Sequence, residues 1–275
     1  MNSKPFVRGL NLCQGHRRFL SILRGKHITD YITDIPNYPV IEPLLVPSEK
    51  PFIDIPKIIS RPINPIEDYY TDFKSPIIYN QDQIEGIRLA ASIAAHCIRL
   101  APEILQPGST TLELNDAIHQ EILLKGGYPS ILGFKNFPKS ISTSVNNVAC
   151  HGIPDNRPLE NGDIVSVDVN VFKDGFHGVC GTSIIVGHSK KDPLVRYLNT
   201  VSEELLYRGI SACKGNGLLL DIGAEISKFA RKRHIKVIPI LTGHGIGEYL
   251  HCAPDVYHAT NNYYGKMEPG MHLTY

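Results

Sequence analysis

The stretch whose reading decides the fold runs from Cys150 to Val186, CHGIPDNRPLENGDIVSVDVNVFKDGFHGVCGTSIIV. It opens with a histidine ahead of a tight turn, His151-Gly152-Ile153-Pro154. Two strand-like runs follow, Asp163 to Phe172 and Gly175 to Val186, joined through Lys173-Asp174-Gly175, and they read as a hairpin. Asp168 stands in the first run among β-branched neighbours. A carboxylate buried in a hairpin is costly unless something cationic meets it. What meets Asp168 is therefore the question to put to the rest of the chain.

Upstream, Gln81 to about Leu105 has Ile84, Ile87, Ala91, Ala94, Ala95 and Ile98 at helical spacing, and Pro107-Gly108 ends it. Thr110 followed three residues on by Glu113 is a capping box. It predicts a second helix to about Lys125, with Leu112, Ala117, Ile118 and Leu124 as its apolar residues, stopped by Gly126-Gly127. Tyr128 to Asn147 reads as a loop region punctuated by glycine and proline. Downstream, the pattern predicts helices over about 192–213 and 220–232, then a strand at Val237–Ile240. Helix, helix, strands, then helix, helix, strands again suggests a duplicated α+β unit, with helices on one face of a largely antiparallel sheet.

The 275 residues carry 20% charged side chains and a net charge of +1, which argues against a polyanion binder. Six cysteines without a CxxC pair read as reduced thiols. No apolar run approaches a membrane span. Residues 1–29 are basic, contain serine and lack any acid before Asp30, the composition of a mitochondrial transit peptide; a cytoplasmic chain with a basic tail is the alternative. Nine prolines between residues 30 and 80 forbid a continuous helix. They imply an extended segment laid over the domain through Ile41, Leu44, Leu45, Ile53 and Ile58. The folded domain is then residues 81–275.

Among candidate site residues, His244 lies between glycines after a strand and offers an imidazole to a divalent metal. His151 and His251 could carry protons or donate hydrogen bonds beside it. Taken singly, a turn carboxylate and ordinary loop histidines explain these residues equally well. Gly243-His244-Gly245-Ile246-Gly247 is no dinucleotide fingerprint, because no helix with room for a pyrophosphate follows.

Taken together, the motifs resemble the type 1 methionine aminopeptidase family of M24 metallopeptidases, most nearly its mitochondrial 1D members. The resemblance covers about residues 78–275. It rests on Asn136-Phe137-Pro138-Lys139-Ser140, Thr143 to Asn147, Cys150 to Asp155, Arg157-Pro158-Leu159, Gly162 to Val165, Val167-Asp168-Val169, Gly243 to Gly247 and Met267 to Met271. It implies the pita-bread fold, a pseudo-twofold α+β domain with two divalent ions (Co, Mn, Fe or Zn) between its halves. It also implies removal of the initiator methionine from nascent polypeptides. Position by position, Asp168 and His244 match two of the five metal ligands, His251 the residue that hydrogen-bonds the scissile amide, and His151 a substrate-orienting residue. Phe134, Phe137 and Leu250 match the lining of the methionine pocket. Where the family pattern H-G-D-T-S-E-T has its bridging aspartate, this chain has Val179 after His177-Gly178. Cys180 next to it is expected on the other face of the strand. The two remaining ligands, both glutamates, are expected beyond Tyr275, where the family closes with further strands that cover a sheet edge and apolar surface. With two of five ligands, the chain is expected not to assemble the dinuclear site. The alternative function is a non-catalytic pita-bread protein holding polypeptide N-termini or a ribosomal partner, with no role for nucleic acid or membrane.

Overall fold

The computed structural model describes residues 41–48, 55–62, 75–187 and 193–275, so the basic segment 1–29 lies outside the described residues. The first half is built from helices α1 (Gln81–Cys97) and α2 (Thr111–Leu124) and strands β1 (Tyr128–Pro129), β2 (Ile141–Val145), β3 (Ile164–Lys173) and β4 (Phe176–Ile185). The second half holds α3 (Pro193–Ala212), α4 (Leu220–Lys232), β5 (Thr242–Gly245) and β6 (Cys252–Tyr257).

Strand β3 is the spine of the first sheet. It pairs antiparallel with β4 along its full length on one edge, and with β2 and then β1 along the other. Val165, Val167, Val169 and Val171 alternate onto one face, where they are buried with Ile93, Ala94 and Cys97 of α1 and Leu114, Ile118 and Ile122 of α2. Each valine, leucine or isoleucine among them contributes about 1.5–3 kcal/mol on burial. The opposite face of β3 carries Ser166, Asp168, Asn170 and Phe172, because side chains along a strand alternate. The hairpin thus has an apolar side bearing helices and a polar side free for chemistry.

Helix α1 lies directly on the hairpin. A Cβ on Gly178 would run into the backbone of Ala90 and Ala91, so the helix approaches β4 too closely for any side chain there. In the second half α3 packs on α4, and α4 on β6. A smaller core of Leu219, Ile222, Ile226, Val256 and Met267 joins them. Beside β5 runs the chain from Met271 to Tyr275, with Leu273 bridged to Gly245.

Several expectations are corrected. The first helix does not run unbroken to Leu105: it gives way at Ile98–Leu100 to a 3-10 turn and then a single turn, Ala101–Ile104. Pro102 has no N–H to donate back to Ile98, which accounts for the break. The buried stripe of α2 is Leu114, Ile118 and Ile122, while Leu124 is 79% exposed. The region 128–147 is not all loop, since Ile141–Val145 is a fully buried strand. Val237–Ile240 forms no strand; Pro239 interrupts it, Ile240 is 78% exposed, and pairing begins at Thr242. Of the proline-rich segment, Ile41 is buried as expected, but Leu44, Leu45 and Ile58 are exposed, and burial comes instead from Ile55 and Ile59. Ile53 lies outside the described residues.

Candidate functional site

Asp168 is half-buried on the polar face of β3. Directly opposite it stand Ser142 of β2 and Gly181 of β4. Two residues along, Asn170 donates from Nδ2 to Asp168 Oδ2 at 3.0 Å. Burial pushes the Asp168 carboxyl above the usual carboxylate range; the Asn170 amide and the positive fields of His151 and His244 pull it back in part. Two of the three histidines singled out in the sequence, His151 and His244, therefore lie within the electrostatic reach of this carboxylate.

His151 reaches it from an exposed turn with left-handed backbone, φ 55°. The turn is clamped to β2: Gly152 N–H donates to Ser144 Oγ at 3.1 Å, and its carbonyl accepts from Thr143 N–H at 2.9 Å. A Cβ on Gly152 would collide with the Thr143 carbonyl, so only glycine allows this approach. His244 comes from the other half. The β5–β6 register shifts between His244 and Gly245, and such a bulge re-aims a side chain. Its Nδ1 donates to the Gly245 carbonyl at 2.9 Å, which orients the ring and leaves Nε2 as the nitrogen not engaged by that bond.

His251 follows on the loop between β5 and β6. Its ring lies 4.2 Å from that of His244 and 5.3 Å from that of Phe134. Imidazole, imidazole and phenyl thus adjoin in a row, with the Asp168 carboxylate in the field of His244 at one end and Lys135 Nζ 5.5 Å over the Phe134 ring at the other. Phe137 and Leu250 are buried. The loop carrying His251 is held from the first half: His177 N–H donates to Gly247 O at 2.7 Å, and Glu248 N–H to the Tyr79 hydroxyl at 3.3 Å.

Val179 stands opposite Asn170, on the same face as Asp168 and diagonal to it. Cys180 stands opposite Val169 and packs against the apolar core, so it is turned away from the site. Cys150 is close enough that the Asp168 charge, after burial, pushes its thiol up; a protonated thiol is a poor metal ligand. Among the described residues, no group of three histidine, cysteine, aspartate or glutamate side chains converges as a metal site requires. A catalytic ion with an open position normally has three protein ligands. Among the described residues, the donors that face this site are fewer than a pair of divalent ions requires. Asn170, Ser142 and Gly181 are site neighbours that sequence reading missed. Asn170 had a signal, since two residues along a strand share a face.

Residues 85–275 match Metallopeptidase family M24. The chain is 39% identical over 244 residues to methionine aminopeptidase 1D, mitochondrial, of Danio rerio, spanning 86% of this chain and 69% of the relative. It is 37% identical over 239 residues to the human protein of that name, spanning 86% and 70%. The crystal structure of methionine aminopeptidase from Rickettsia prowazekii superposes with a TM-score of 0.69 at 35% identity, covering 72% of this chain and 79% of that one. Prolidase from Pyrococcus furiosus, at 19% identity and TM-score 0.62, shares the fold alone. That fold is the pita bread. Family match, identity over most of the chain and superposition agree, and the protein belongs to the methionine aminopeptidases of metallopeptidase family M24.

Proposed function

We propose that this chain acts on the N-terminal methionine of newly made polypeptides and that its hydrolytic step is impaired. The observation that carries the first part is the row from Asp168 through His244 and His251 to Phe134. It suits a ligand with a cationic end and an apolar side chain. In this reading Phe134, Phe137 and Leu250 take the methionine side chain, His251 donates to the carbonyl of the first peptide bond, and His151 orients the chain that follows. Val179 supports the second part. Methionine aminopeptidases of this family use divalent ions as Lewis acids and to lower the pKa of water. Asp168 and His244 would contribute one carboxylate and one imidazole to that end, and Val179 withholds the bridging carboxylate of the family pattern.

Val179 also favours a second reading, a protein that holds polypeptide N-termini, free or at the ribosome, without cutting them. Release of methionine from a Met-Ala-Ser peptide, with the purified chain supplied with cobalt or manganese, decides between them. The expected rate is far below that of a relative such as the human 1D protein; a matching rate overturns the impairment. A mitochondrial address is part of the proposal, supported by the acid-free basic segment 1–29 and by the names of the relatives. So is the division into that segment, a proline-rich stretch to residue 80 and a peptidase-like domain from 81 onward.

A further inference from the structure

We propose that Asp168 takes the α-ammonium of a peptide N-terminus directly, with no pair of metal ions between them. The inference rests on the reading of the site as one that receives polypeptide N-termini. It begins from what the polar face of the hairpin offers. Position 179 is the place on β4 from which a second carboxylate could share ions with Asp168: same face, diagonal, one pair along. Valine has no lone pair to give. The adjacent Cys180 belongs to the core face and cannot substitute without breaking the register. On this face of the hairpin Asp168 offers a single negative charge, which matches a single ammonium.

The geometry around Asp168 suits that ammonium. Oδ2 is held by the Asn170 amide at 3.0 Å, which fixes the carboxylate plane. The strand position directly opposite is Gly181, and even a Cβ built there would stay 3.8 Å from Oδ1. The absent side chain leaves room beside Oδ1 for a compact three-donor group. Ser142, also opposite Asp168 and 4% exposed, puts a hydroxyl on the same face. The row through His244 and His251 to Phe134 then leads away from the charge toward apolar surface, as a methionine residue does from its amine.

The test is fluorescence anisotropy with a Met-Ala-Ser peptide labelled at its C-terminus, its α-amine either free or acetylated, on the full chain in EDTA and in manganese. The free-amine peptide is expected to bind with the same Kd in both buffers. Acetylation and Asp168→Asn should each weaken it about tenfold or more, as loss of a charge-assisted contact does. Gly181→Val, which fills the space beside Oδ1 and leaves the carboxylate in place, should weaken it similarly. By calorimetry the wild-type chain should take up no stoichiometric manganese, whereas Val179→Asp should gain uptake. Binding that needs manganese, equal binding of the acetylated peptide, or tight uptake of two manganese ions by the wild type each overturns the proposal and leaves the N-terminus reading standing. No binding of either peptide in either buffer overturns both.

Discussion

His177 sits at the seam between the halves with its ring turned inward. It is 4% exposed, its Nδ1 lies 2.9 Å from Ser130 Oγ, and its ring stacks 4.8 Å from Phe172. Burial depresses its pKa to about 3, against the usual 6.5. The unfolded chain therefore binds a proton that the native one refuses between those values. The stability this gives is whole above pH 6.5 and is lost as pH falls toward 3, by about 1.4 kcal/mol per unit inside the window. Denaturant melts at pH 7, 6 and 5 should show the midpoint falling, and His177→Asn, which keeps a partner for Ser130, should flatten that slope. Asp163 acts lower on the scale. Burial raises its pKa, but Arg157 at 2.9 Å, the Glu160 N–H and the Asn146 amide outweigh that and hold it low. Its share is present above the ordinary carboxylate range and disappears only below it. At this scale the sequence was most informative where a residue had to be itself. Asp168, His244 and Val179 could be named from motif alone. Asn170 belongs to no motif, and its signal, two residues along the strand from Asp168, becomes readable only once the site is placed on that face.

Among the elements, α1 and the hairpin depend on each other through Gly178. Gly178→Ala should drive a methyl into the α1 backbone and destabilise the protein by about 1–3 kcal/mol, read as a lowered Tm. Helix α2 starts at the capping box, where Thr110 Oγ1 accepts from Glu113 N–H at 3.1 Å and Glu113 returns a bond to Thr110 N–H. Thr110→Ala should cost about 1 kcal/mol. Further along α2, the 5%-exposed Asn115 accepts from Ser140 N–H at 2.9 Å and so fixes the start of β2. Asn115→Ala would leave that N–H buried without its acceptor, a loss of about 1–3 kcal/mol by chemical denaturation. Caps and the hairpin were legible because their signals are local. Strand β2 was not: Ile-Ser-Thr-Ser-Val alternates as a strand does, yet its pairing with β3 spans a gap of about twenty residues and competes with flanking prolines and glycines. The misplaced strand before Thr242 shows the converse, an apolar run that tertiary packing leaves in solvent.

Among the described residues the apolar cores are three, the largest around β3, a small one joining Ile55 and Ile59 to Tyr128 and Phe172, and another around α4 and β6. Tyr79, 4% exposed and just ahead of α1, ties the first half to loops of the second. Its hydroxyl accepts from Glu248 N–H and its own N–H donates to Gly270 O at 3.0 Å. Tyr79→Phe should loosen the loop that carries His251 by about 1 kcal/mol. Amide exchange should quicken at residues 246–250 while the β3–β4 ladder stays protected. The duplicated plan was readable from element order; the way one half holds the other's His251 loop was not, since it runs through backbone groups that leave no mark in composition. The hairpin's alternation, finally, has a consequence written in codons. A single base at the second position of its triplet separates valine from aspartate or, for its other codons, from glutamate. A lineage carrying Val179 therefore stands one mutation from a second carboxylate beside Asp168. Its neighbour Cys180 stands on the wrong side of the sheet, where no substitution, however many bases it takes, places a donor at the site.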